Sequence, residues 1–274
     1  ACQDPITQVR AGVALPVLMS SSYDPNFAID QFLALTEDQP DELLATPYIL
    51  DCLRYMMHRY LDRLTPVIER MLASEVEDVR VAGGKAFGLS TFADASRLAR
   101  VAILYDDEAI AQGIGEVWKS KLQQLSDEQC QALIILFDHP SEDVLSKLTG
   151  LFRDTEVEWF LEHRHLLDAY FDAQIARVRT AQVFFAFKDW NLVENQPEIA
   201  LEYIERTFGL HQQLEDAGES TASIDTHGMC RMLDELYKQH PRERERVIEL
   251  LDAMVKAGIW PAERTLREVQ SYRD

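Results

Sequence analysis

The sequence has few of the residues that interrupt helices, and it contains no long hydrophobic run. Only 11 glycines and 10 prolines occur in 274 residues, and the alternation of apolar and polar residues that marks strands is nearly absent. No apolar stretch approaches the roughly 20 residues that a membrane-spanning helix needs. These absences favour an all-α protein without a membrane partner.

Cysteine is also scarce. The four cysteines lie far apart and form no CxxC pair, so the spacing supports neither a zinc site nor a disulfide framework and favours buried thiols in a reducing cytosol. The first residues do not follow a signal-peptide pattern, which has a basic region before an apolar stretch. The chain lacks an initiator Met, so we expect an excised segment of a larger cytoplasmic protein.

Positive charge is under-represented, with 27 Lys and Arg against 47 Asp and Glu and a formal net charge of -20. Affinity for nucleic acid comes largely from Lys and Arg side chains that displace counterions from phosphates. Nucleic acid is therefore an unlikely partner, although a local basic patch can override the global charge.

Helical periodicity extends from about residue 26 to residue 273, with short connections between the predicted helices. Gly218 and Gly258 suit helix ends. Helix starts are indicated by early prolines and by serine caps, at Pro47, Pro66, Pro197, Pro261, Ser126 and Ser141.

A pattern of helix pairs repeats between residues 66 and 152. Each copy has an apolar first helix, two acids that open the second helix, and a large apolar anchor at Phe87, Val117 or Phe152. A helix pair of this size needs neighbours to bury its apolar face. The repetition therefore predicts a stack of helix pairs with the three anchors in equivalent positions.

The segment LTPVIERMLASEVEDVRVAGGKAF, which begins at Leu64, resembles a HEAT repeat. The resemblance extends over 64–92, is less close in 126–153 and is weakest in 94–122. The resemblance implies an all-α, right-handed α-α superhelix, a HEAT-like solenoid of antiparallel helix pairs. Arg80 has no counterpart in the other copies, so a continuous Asp–Arg ladder is not expected. We assign 1–25 to an N-terminal extension or linker, 26–155 to HEAT-like repeats, and 156–274 to divergent repeats or a helical cap continuous with the array.

Three patterns suggest chemistry, and each has a structural alternative that we favour. Gly83-Gly84-Lys85 lacks the flanking residues of a phosphate loop and suits close helix packing. Glu158, Glu162 and His165 share a predicted helix face with di-iron spacing, but no second Glu-x-x-His exists. His227 and Cys230 are three residues apart without an orienting acid. We therefore predict no catalytic residue, no metal and no cofactor.

Two surfaces are candidates for partner binding. Arg54, His58, Arg59 and Arg63 form the densest basic patch, with Tyr55 and Tyr60 interleaved; pairing with Asp51, Asp62 or neighbouring acids is the structural alternative. The run that contains Phe184, Phe187 and Trp190 is either core or a partner hot spot. If it binds a partner, at least one of the three should be substantially exposed.

Together these patterns predict a non-enzymatic helical-repeat interaction module, a regulatory, sensing or scaffolding segment that binds another protein or another domain of the same polypeptide. One alternative is a HEAT-like enzyme that acts on nucleic acid. One HEAT-like family, the alkylpurine DNA glycosylases, binds DNA along a basic groove lined with aromatics. A HEAT-type chaperone for a small ligand or chromophore is another, and it would show a deep apolar pocket. The partner-binding candidates are Phe184, Phe187, Trp190, Arg54, His58 and Arg59.

Overall fold

Helices account for the regular structure of the protein, as the shortage of helix-breaking residues predicted. The computed structural model describes residues 12–37, 41–178 and 180–272, and within these ranges it contains no strand. None of the helices in the described ranges is both long and apolar enough to cross a membrane. The chain divides into two compact units, Ala1–Lys147 and Leu148–Asp274. The division that we predicted, with HEAT-like repeats up to residue 155 and divergent repeats or a cap from residue 156, stays a prediction.

The first unit begins, in its described part, with a helix inside the segment that we assigned to an extension or linker. Ala14 and Val17 of this helix are buried. Two short 3-10 turns, Ala95–Arg100 and Leu122–Gln124, connect later helices. The α-helices are α1 (Ala14–Ser20), α2 (Pro25–Thr36), α3 (Asp41–Leu44), α4 (Pro47–Leu72), α5 (Glu77–Ala93), α6 (Val101–Leu104), α7 (Glu108–Ser120), α8 (Asp127–Leu136) and α9 (Glu142–Leu148), which ends one residue into the second unit.

Helix α4 consists of two helical segments that meet at a kink. The sequence indicated helix starts at Pro47 and Pro66, and the structure places the interruption between the two segments before Pro66, at Tyr60, with φ -131° and ψ 28°. Pro66 therefore lies inside the helix, where it lacks the N–H for a bond to the preceding turn.

Glycines allow helices α5 and α7 to pack very closely. A Cβ atom on Gly84 would lie 2.3 Å from the carbonyl oxygen of Ile110, and one on Gly113 would lie 2.2 Å from that of Val81. Side chains larger than hydrogen would therefore force the two helices apart. The packing interpretation of the Gly83-Gly84 pair is confirmed, because both residues lie inside a helix and not in a phosphate-binding loop.

Ion pairs join the same two helices beside the glycine contact. The Arg80 Nε atom lies 2.9 Å from Oδ2 of Asp107, the residue that caps α7, and Lys85 Nζ lies 2.7 Å from Glu116 Oε2. Both pairs are partly exposed, so they fix the register of the helices more than they add to stability. The capping box predicted at Ser126 and Gln129 is confirmed at the start of α8.

The second unit is also built from helices, and its glycine stops are confirmed. Gly218 and Gly258 adopt left-handed φ values of 72° and 76° just after two of these helices end. The helices are α10 (Val157–Glu162), α11 (Arg164–Asp172), α12 (Ile175–Val178), α13 (Ala181–Asp189), α14 (Leu192–Asn195), α15 (Pro197–Asp216), α16 (Thr226–Gln239), α17 (Arg244–Lys256) and α18 (Trp260–Ser271).

The predicted equivalence of the three anchors fails at Phe152. Phe87 and Val117 lie on α5 and α7 and are buried, but α9 ends at Leu148, and Phe152 follows in a turn. Gly150, at a left-handed φ of 78°, ends the helical geometry that the repeat pattern required. Phe152 is nevertheless buried, with its ring centroid 5.7 Å from that of Tyr170 in the second unit.

Candidate functional site

A cleft of about 770 Å³ in the first unit contains part of the predicted basic patch. It lies among helices α1, α4 and α5 and the 3-10 turn after α7. The lining combines apolar, cationic and polar side chains, namely Leu18, Asp51, Arg54, Tyr55, Met57, His58, Leu89, Phe92, Lys121 and Gln124.

Helix α4 supplies the charged side of the cleft because of its residue spacing. Asp51, Arg54, Tyr55 and His58 stand at positions i, i+3, i+4 and i+7, which fall on one face of a helix. The intervening Cys52, Leu53 and Met56 are buried and hold the opposite face against the protein. The amphipathic pattern of α4 therefore directs these four side chains outward together.

Lys121 adds a second cation from a distant part of the sequence. It follows α7, where its Nζ atom donates a hydrogen bond to Oε1 of Gln124 at 3.0 Å. The same ammonium lies 5.5 Å from the centroid of the Phe92 ring, within the range of a cation–π contact. These contacts hold Lys121 at the cleft without neutralising it.

The cations of the cleft differ from most others in the first unit. Within the described residues, neither Arg54 nor Lys121 has a carboxylate within 4.0 Å of its nitrogen atoms. By contrast, most of the remaining cations of this unit lie within that distance of an acid: Arg63, Arg70, Arg80, Lys85, Arg97, Arg100 and Lys147. The cleft therefore holds two cations of the first unit, Arg54 and Lys121, that have no carboxylate at that distance within the described residues, on a chain with a net charge of -20.

The remaining members of the basic patch lie outside the cleft. Arg63 donates a hydrogen bond to Asp30 at 2.6 Å, so the predicted intramolecular pairing applies to Arg63, with an acid from α2. Arg59 stands with its guanidinium carbon 5.5 Å from the Tyr60 ring centroid. Arg54 and His58 line the cleft and Arg59 does not, and their role in partner binding stays a prediction.

Exposed apolar side chains adjoin the cleft. Tyr55 is 58% exposed, and Leu15, one turn before the cleft residue Leu18 on α1, is 49% exposed. Met19 on the same helix is 64% exposed. An exposed group of large apolar side chains often marks the surface at which a protein binds a partner.

The aromatic run in the second unit belongs to the core. Phe184, Phe187 and Trp190 are all buried, so the exposure that a partner site at these residues requires is absent, and the alternative that they belong to the core is supported. The ring of Trp190 stacks on Phe160 at 4.4 Å between centroids, and its indole N–H donates to the Thr155 carbonyl oxygen at 2.7 Å. Helices pack on more than one face of α13 and bury these three aromatics, whereas Phe185 of the same run is 46% exposed.

The cysteine candidate is a poor nucleophile. Cys230 and His227 line the same small cleft of about 240 Å³, together with Asp234. Burial raises the pKa of Cys230 to about 12, an effect that a hydrogen bond with Thr265 only partly opposes and that the charge of Asp225 increases. Since the thiolate is the reactive species, this thiol is held in its unreactive form at neutral pH.

The helix face with di-iron spacing, on which we placed Glu158, Glu162 and His165, does not form. Helix α10 ends at Glu162 and α11 starts at Arg164, so Glu158, Glu162 and His165 do not share one continuous helix as the pattern required. The ring of the intervening His163 stacks on Trp159 at 4.2 Å between centroids, and its Nδ1 lies 2.9 Å from the Trp159 carbonyl oxygen. Among the described residues, no group of three or more His, Cys, Asp or Glu side chains is arranged to hold a metal ion.

Sequence patterns identified only part of the cleft. The spacing of Arg54 and His58 marked them as one helix face, but Leu18, Leu89 and Lys121 join them only through the packing of α1, α5 and the turn after α7. No local pattern connects residues so far apart.

No protein-family model matches the chain, and no curated protein or solved structure has significant similarity to it.

Proposed function

We propose that the chain is a non-enzymatic helical-repeat module of the HEAT-like solenoid type, which binds a partner protein through the cleft of the first unit. In the cell it would serve as a regulatory, sensing or scaffolding segment of a larger cytoplasmic protein. The observation that carries the proposal is the cleft itself, where unpaired cations stand beside exposed Tyr55, Leu15 and Met19. Aromatic, Met and Arg side chains are the types enriched where proteins bind each other.

The packing of α5 against α7 supports the repeat part of the proposal. Helix pairs in a stack must approach closely along their length, and Gly84 and Gly113 permit that approach. The Arg80–Asp107 pair, in which an arginine of one predicted repeat meets the acid that opens the next helix pair, is one contact of the kind that such a stack requires.

A small-ligand chaperone is the second candidate, because the cleft volume of about 770 Å³ falls within the range of small-molecule pockets. The two candidates differ in what remains bound to the purified protein. A chaperone should retain a small organic molecule, whereas an interaction module should retain another polypeptide.

Affinity purification from the source organism tests the proposal. The full chain, Tyr55→Ala and the control Ile103→Ala should be compared; Ile103 is 72% exposed and does not line the cleft. We expect a protein in stoichiometric amount with the native chain and the control, and its loss with Tyr55→Ala. Equal recovery with all three chains would contradict the proposal, and a tightly bound small molecule without a protein would favour the chaperone.

A further inference from the structure

We infer that the cleft of the first unit takes an acidic peptide segment of its partner, with a carboxylate of that segment on Arg54 and an apolar side chain beside it. The inference rests on the proposed function and adds the chemical class of the partner. The charges of the cleft, its apolar lining and the exposed side chains around it support the inference.

The charges select an anion. Arg54 and Lys121 are cationic, and Asp51 is the acid of the lining. The guanidinium of Arg54 has no hydrogen bond or ion pair with the described residues, so none of them occupies its donors. A planar guanidinium binds a carboxylate with two parallel hydrogen bonds, which a point charge cannot do.

The apolar lining selects an anion that also carries a hydrophobic group. Leu18, Met57 and Leu89 line the cleft beside the cations, and Met57 is only 2% exposed. A simple inorganic anion would leave this surface in contact with water. A segment in which acids alternate with large apolar residues would cover the cations and the apolar lining together.

The surroundings of the cleft favour a polypeptide over a small molecule. Leu15 and Met19 extend the apolar surface along α1 away from the cleft, and Tyr55 stands at its edge with 58% of its surface exposed. A ligand confined to the cleft would leave these side chains uncovered, whereas a peptide that continues along α1 would bury them.

Fluorescence anisotropy with defined peptides tests the inference on the full chain. The probe is a labelled peptide with the repeating sequence Glu-Glu-Leu. Its comparison probes are Lys-Lys-Leu, which reverses the charge, Glu-Glu-Ser, which lacks apolar side chains, and single-stranded DNA of similar charge. We expect the native chain to bind Glu-Glu-Leu at least roughly tenfold more tightly than each of the others.

Two variants assign the binding to the cleft. Arg54→Gln should weaken Glu-Glu-Leu binding by about tenfold, because it removes a charge-assisted, two-point contact. Arg242→Gln removes the same charge from an exposed position in the second unit, and it should change the affinity by less than about twofold. Circular dichroism should show both variants folded, since Arg54 and Arg242 are exposed.

Three results would overturn the inference: equal affinity for Glu-Glu-Leu and one of the comparison probes, equal effects of the two variants, or no peptide binding by the native chain. Each is distinguishable from failure of the proposed function. If the peptides fail while Tyr55→Ala still loses the cellular partner, the cleft is the site and the acidic class is wrong. If the cellular partner is retained by Tyr55→Ala, the proposed function itself is wrong.

Discussion

A Cβ atom on Gly84 of helix α5 would lie 2.3 Å from the carbonyl oxygen of Ile110 on helix α7. Real Cβ atoms do not approach a backbone oxygen so closely, so an added methyl group must push the two helices apart. Because this contact lies between two predicted repeats, a single methyl group added here should disturb the stacking of the helix pairs.

Gly84→Ala should therefore lower the free energy of unfolding by about 1–3 kcal/mol, the usual cost of overpacking a close contact. The matched control is Gly209→Ala on helix α15, where a Cβ would meet no atom within 4 Å. That change should raise stability by up to about 1 kcal/mol, because alanine has the better helix propensity. Urea denaturation measures both. A neutral Gly84→Ala would mean that α5 and α7 do not pack as described.

Trp190→Phe should destabilise the second unit by about 1–3 kcal/mol, because it leaves the buried carbonyl of Thr155 without its 2.7 Å hydrogen bond. Trp260→Phe is the control, since Trp260 is 71% exposed, and it should change stability by less than about 0.5 kcal/mol. The midpoint of thermal unfolding should fall clearly for Trp190→Phe and hardly change for Trp260→Phe. Similar effects at both positions would argue against the buried aromatic core.

Asp41 should make the stability of the first unit depend on acid pH. The hydrogen bond from the Ser74 hydroxyl, at 2.5 Å, and that from Arg70, at 2.8 Å, hold the pKa of Asp41 below its ordinary value of 3.8. A carboxyl with a lowered pKa stabilises the fold above its ordinary pKa and loses that contribution as the pH falls through the lowered value.

Asp41→Asn should therefore reduce the midpoint of thermal unfolding at neutral pH, and the difference from the native chain should shrink as the pH drops below about 4. Asp62→Asn serves as a control at neutral pH, because Asp62 is exposed on α4 and has no hydrogen bond with the described residues; it should change the midpoint little. A difference for Asp41→Asn that is the same at pH 3 and at pH 7 would contradict the assignment.

The helical class and several local signals were predictable because they depend on short spacings. The Ser126 capping box, the glycine stops and the Gly83-Gly84 packing pair each involve residues close in sequence or backbone geometry that glycine alone tolerates. The break between α10 and α11 was not predicted, because the apolar pattern alone would allow a continuous helix, whereas His163 leaves the helical geometry with φ -112° and ψ 27°.

The burial of Phe184, Phe187 and Trp190 and the assembly of the cleft both depend on tertiary packing. Phe184, Phe187 and Trp190 are covered because aromatic side chains from other helices of the second unit pack against this group. Arg54 and His58 could be grouped by helical spacing, but nothing in the sequence linked them to Lys121 or Leu18. The sequence therefore indicated one face of the cleft and not the cleft.

Chemical blocking of the cleft tests the central claim most directly. The buried thiols of Cys52, Cys130 and Cys230 have pKa values raised by burial to about 12, about 11 and about 12, so they should react slowly with a maleimide. In a Cys2→Ser background, an exposed thiol introduced as Gln124→Cys can then be labelled selectively with a bulky maleimide inside the cleft. Ile103→Cys places the same label elsewhere on the first unit.

The labelled Gln124→Cys chain should lose more than about tenfold in affinity for the Glu-Glu-Leu peptide and should no longer retain the cellular partner, because the label fills the space that the partner needs. The labelled Ile103→Cys chain should bind as the unlabelled chain does. Undiminished binding of both ligands by the labelled Gln124→Cys chain would contradict the claim that this cleft is the binding site.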